Sequence, residues 1–68
     1  MVPDKVELVW DEGKHKWLVR IEAGTEVIRR HCNHAREADE QQLRAVAQQT
    51  VIDEGYEFDA SRISVIRS

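Results

Sequence analysis

Three side chains with soft or borderline donor atoms fall within four residues, His31-Cys32-Asn33-His34. Imidazole nitrogen and thiolate sulfur are ligands that zinc takes readily, but a structural zinc site needs four of them in a tetrahedron, usually from two separated pairs. The remaining histidine, His15, belongs to the far end of a predicted hairpin. On a strand, moreover, His31 and Cys32 point to opposite faces. A metal site on His31, Cys32 and His34 is therefore expected only if a second subunit completes it. The plainer expectation is a strand-end cysteine packed as a small hydrophobe between two partly exposed histidines.

Cys32 could alternatively be a nucleophile or redox thiol with His31 or His34 as its base. That role needs a thiol pKa lowered by a helix N-terminus or a cation. Cys32 lies shortly before a predicted helix and close to Arg29 and Arg30, but neighbours in sequence are seldom oriented for proton transfer. The chain holds no Gly-rich phosphate loop, no Ser/His/Asp set and no paired-carboxylate signature. The expectation is a non-enzymatic protein without a cofactor.

Arg29, Arg30, His31, His34 and Arg36 form the one basic concentration. Three-stranded sheets can read DNA grooves, so Arg29, Arg30 and Arg36 define a nucleic-acid reading. Thirteen acidic against ten basic residues, a net charge of -3, disfavour it, because phosphate binding rewards a basic surface. No run of exposed aromatics suggests RNA stacking. Arginines on a solvated edge strand account for the same residues more simply.

The elements that position these groups follow from apolar periodicity. Val6, Leu8 and Trp10 alternate with Glu7, Val9 and Asp11, a strand pattern. The segment Asp11-Glu12-Gly13-Lys14 then turns the chain, with Gly13 expected at positive φ. Pairing Trp10 with His15, Leu8 with Trp17 and Val6 with Val19 puts apolar side chains opposite each other. Loops of two or four residues share that parity, whereas a three-residue loop would put Leu8 against Lys16.

The second strand carries Trp17, Val19 and Ile21 inward, with Leu18, Arg20 and Glu22 outward. Ala23-Gly24 marks a second turn before a third strand over Thr25 to Cys32, where adjacent Val27 and Ile28 leave the inward face undecided. Asp39 is the expected N-cap of a helix, with Gln42 completing a capping box. Leu43, Val46, Ala47, Thr50 and Val51 form its buried stripe, Gln41, Arg44, Gln48 and Gln49 its wet side, and Gly55 its stop. Asp39 and Glu40 suit the N-terminal end of the helix dipole, while Asp53 and Glu54 oppose the C-terminal end. Tyr56 and Phe58 are expected to fold over the helix end, and Arg62 to Arg67 to form the last strand.

The order β-β-β-α-β predicts an α+β fold, one amphipathic helix on one face of a mainly antiparallel sheet. After a three-strand meander and one helix, the last strand runs parallel to the first, and is placed beside it. At 68 residues one small domain over residues 1–68 is expected, with a modest core. A lone cysteine cannot make an internal disulfide, so oligomerisation is a natural further support. No apolar run is long enough to span a bilayer, and MVPDKVELVW lacks the features of an export signal, so a cytoplasmic location is expected.

With one helix, one sheet face is left uncovered. Val9, Leu18, Arg20 and Ile66, with Val27 or Ile28, are the expected interface residues there, apolar side chains interleaved with charge as in a self-complementary surface. The functional expectation is a protein-interaction module, a homodimer or the binder of another protein.

Overall fold

The computed structural model describes residues 2–67. Three strands, β1 (Lys5–Asp11), β2 (Lys16–Ala23) and β3 (Glu26–Cys32), form an antiparallel meander. The helix α1 (Glu40–Asp53), a short 3-10 turn (Ala60–Arg62) and β4 (Ser64–Ile66) follow. The sheet order is β3-β2-β1-β4, with β4 parallel to β1. The architecture is thus the α+β arrangement expected, with the last strand beside the first.

The β1–β2 hairpin keeps the expected parity but not the expected register. Trp10 pairs with Trp17, Leu8 with Val19 and Val6 with Ile21, two residues along from Trp10 opposite His15. Glu12 to His15 make a four-residue loop between Asp11 and Lys16. A shift of two leaves every side chain on its own face, so alternation alone does not distinguish the registers. The positive φ falls on His15, at 52°, and not on Gly13. The Asp11 carboxylate and carbonyl both accept from the Lys14 backbone N–H, which holds the loop closed without a left-handed glycine.

Between β2 and β3 a two-residue turn joins Ala23 to its partner Glu26. Gly24 there has φ of 62°, the first-position pattern of a type II′ turn, whose twist matches the strands it joins. Ile28 pairs with Ile21 and turns inward, and Val27 pairs with Glu22 and turns outward.

Leu43, Ala47 and Val51 of α1 pack on Val6, Leu8, Trp10, Trp17, Val19 and Ile21, with Phe58 and Ile63 closing the core. Val46 and Thr50 lie at its margin, half-buried. Full burial of a large aliphatic or aromatic side chain contributes about 1.5–3 kcal/mol, and besides Ala47 eight side chains here are essentially inaccessible, Trp17 the largest. The Trp17 indole N–H donates to the Ala35 carbonyl at 2.9 Å, and the Arg67 guanidinium lies over its ring at 5.8 Å. Arg67 also donates to the carbonyls of Arg36 and Ala38. The irregular segment before the helix is therefore tied down from both sides.

At the helix N-terminus the Asp39 carbonyl accepts from Leu43 N–H at 2.9 Å, but its carboxylate makes no cap. The expected capping box is not formed, since both exposed side chains remain free to be solvated. At the other end Gly55, at φ of 89°, donates to Ile52 and Tyr56 donates to Val51, the paired bonds of a Schellman motif. Arg44 and Gln48 are not simply on the wet side. They donate to the Ile63 and Phe58 carbonyls at 3.1 and 3.2 Å and hold the returning chain against the helix.

Candidate functional site: the outer sheet face

Helix α1 lies against β1, β2 and β4, so the other face of the sheet carries no helix. Register fixes what that face presents. One row runs across all four strands as Ile66, Val9, Leu18 and His31. Val9, Leu18 and Ile66 are half-buried, which leaves an accessible apolar strip. The neighbouring row is Ser64, Glu7, Arg20 and Arg29, and the row on the other side is Asp11 and Lys16. Toward the sheet end stand Lys5, Glu22 and Val27, the last 39% exposed.

Several of the charges on this face are paired laterally. Glu7, at 8% exposure the one buried charged residue among those described, holds Arg20 at 3.3 Å and Lys5 at 3.5 Å, and Arg20 reaches Glu22 at 3.9 Å. A buried carboxylate is tolerated only with such partners. At the hairpin end, His31 Nε2 and the Asp11 carboxylate meet at 3.2 Å across the intervening β2. That hydrogen bond holds the Asp11 carboxyl below its ordinary value, against a smaller upward push from burial, and the Lys14 backbone N–H adds to it.

The structure separates the residues that sequence placed in one basic cluster. Arg29 and His31 stand on the outer face. Arg30 pairs with Val19 on the helix side, and its guanidinium meets Glu54 at 3.0 Å. Arg36 donates to the Arg67 carbonyl at 2.8 Å. The Arg30 contact also accounts for a carboxylate at the unfavourable end of the helix dipole, and Gln49 donates to its neighbour Asp53 at 3.1 Å.

His31 and Cys32 take opposite faces, as strand geometry requires. Cys32 pairs with Trp17 beside the core, and burial pushes its thiol pKa above the ordinary value, the reverse of what activates a nucleophile. Among the described residues no group of three His, Cys, Asp or Glu side chains is placed to hold a metal ion. An open groove between the first helical turn and the 3-10 turn is flanked by Asp39, Glu40, Arg44, Gln48 and Ser61. Its cation is already engaged, by Glu40 at 3.3 Å and the Ile63 carbonyl.

Sequence reasoning missed Arg44 and Gln48 as clamps and Arg67 as the cover of Trp17. The signal available was a pair of long polar side chains four apart beside the apolar stripe. No helix among the described residues is long and apolar enough to cross a membrane. No protein-family model, no curated protein and no solved structure matches the chain.

Proposed function

We propose that this chain is a small non-enzymatic interaction module that associates with a second copy of itself through the sheet face away from the helix. The observation that carries the reading is the row Ile66, Val9 and Leu18, accessible apolar side chains lying in register across three adjacent strands on the face without a helix. Contiguous apolar strips rimmed by charge mark association surfaces more often than scattered apolar side chains do. The thiol chemistry of Cys32 and the division of the arginines between two faces support this reading over a redox, metal or nucleic-acid role. A reducing, cytoplasmic setting fits the single buried-side thiol.

The size of the face bounds the class of association. Three strands of seven or eight residues and one of three offer about 400 Å² per partner, about half of what a standard stable interface buries. A face of that size belongs with weak, transient associations. Sedimentation equilibrium from about 10 μM to 1 mM is expected to show a monomer–dimer equilibrium that Leu18→Asp abolishes while the circular dichroism spectrum is retained. A wild-type protein that stays monomeric throughout, or a Leu18→Asp protein that associates equally well, would refute the reading.

A further inference from the structure

The two edges of the sheet are unlike. β4, three residues long, is a short template for any further strand. β3 runs for seven residues, each exposed or half-buried, along the other edge. Open edges of that length invite strand addition, and native proteins commonly carry a device against it.

The turn between β2 and β3 fixes which backbone groups this edge presents. In a two-residue hairpin the residues flanking the loop, here Ala23 and Glu26, form a hydrogen-bonded pair. Such pairs recur at every second position of an antiparallel ladder, so Ile28, Arg30 and Cys32 bond to Ile21, Val19 and Trp17. The N–H and C=O of Val27, Arg29 and His31 therefore turn away from β2, toward the open side. Arg29 is the middle residue of the three, and a strand laid along this edge must pair with it.

The Arg29 carbonyl is occupied. Arg30 Nη1 donates to it at 2.9 Å, the distance at which the amide nitrogen of an added strand would stand. Arg30 Nη2 donates to the Glu54 carboxylate, just beyond α1, at 3.0 Å. The planar guanidinium thus spans a carbonyl of its own strand and a carboxylate at the helix end, a task suited to its fixed fork of donors.

We infer that Arg30 guards the open edge of the sheet: held by Glu54, its guanidinium occupies the central acceptor of β3 and excludes an added strand. A strand pairing there must either displace the guanidinium from the carbonyl or desolvate a cation at the edge, and a charge taken out of water is costly. The same contact gives Glu54 a use at the end of the helix where the dipole disfavours it. The guard directs association away from the edge, and it stands whether or not the outer face associates.

Amide hydrogen exchange of Arg30→Thr, compared at about 0.1 and 1 mM protein, tests this role. Threonine keeps the preference for strand without adding an apolar side chain. The Val27, Arg29 and His31 amides are expected to exchange at least about tenfold more slowly at the higher concentration, as edge pairing with a second copy's β3 protects them, while in wild type they exchange alike at both. Packing through the outer face leaves these amides open, so the readout separates the two modes of association. Arg30→Lys, which keeps the charge but loses the planar fork, is expected to show part of the protection. Edge amides of Arg30→Thr that exchange independently of concentration would overturn the guard. An Arg30→Lys protein indistinguishable from wild type would overturn the role of the carbonyl contact and leave charge alone as the protection. If circular dichroism shows Arg30→Thr unfolded, Glu54→Ala, which frees the guanidinium and leaves β3 intact, carries the same expectation and the same refutation.

Discussion

Asp11 shows how a single side chain on the outer face links shape to pH. Its carboxylate accepts from the Lys14 N–H inside the hairpin loop and meets His31 two strands away, so it fastens the loop and the open edge strand together. The His31 hydrogen bond, the largest influence, depresses its folded pKa below the ordinary 3.8. Between the folded and unfolded values the unfolded chain binds more protons, so stability rises with pH across that window. The contribution is complete above the unfolded value and is lost as pH falls through the folded one. Urea midpoints at pH 5 and pH 3 are expected to fall further apart in wild type than in Asp11→Asn. Equal losses in the two proteins would mean that the contact does not stabilise the fold. Neither the His31 contact nor the Trp17 bond to Ala35 was legible in the sequence, since each joins residues separated by 18 positions or more and depends on a register that alternation does not fix.

At the scale of elements, what could be read was parity, and what could not was register and edge detail. Alternation from Val6 to Ile21 assigned both tryptophans to the face under the helix, where they meet edge to face with ring centres 5.5 Å apart. It could not choose between loops of two and four residues, because both keep the faces. The helix stop, in contrast, was visible as Gly55, and the structure gives the reason in a left-handed residue carrying the two closing bonds of the motif. An alanine Cβ at Gly55 would meet no neighbouring atom within 4 Å, so the cost of Gly55→Ala is conformational alone, about 1 kcal/mol. Chemical denaturation should show that loss with an unchanged slope. No loss would mean that the helix end readily finds another termination. The clamps Arg44 and Gln48 escaped notice because helical periodicity sorts side chains by hydrophobicity, whereas their role lies in two backbone carbonyls of the returning chain.

For the whole molecule, the expected strand order and single helix agree with the structure, and the uncovered face follows from them as a matter of count: one helix covers one face. Which residues occupy the row across that face depends also on the β1–β4 and β2–β3 registers, which apolar alternation does not set. The scale of stability makes the consequence measurable. A chain of 68 residues has a folding free energy of about 3–10 kcal/mol, so modest linkage to association is a visible fraction of it. If dimerisation is coupled to the native state, a hundredfold rise in protein concentration above the dissociation constant stabilises each chain by about 1.4 kcal/mol, half the linkage free energy of the pair. For a domain of this size that corresponds to a rise in melting temperature of about 6–11 °C. Scanning calorimetry across that concentration range should show the rise in wild type and a concentration-independent transition in Leu18→Asp. A melting temperature independent of concentration in wild type would show that the fold draws no stability from a second copy.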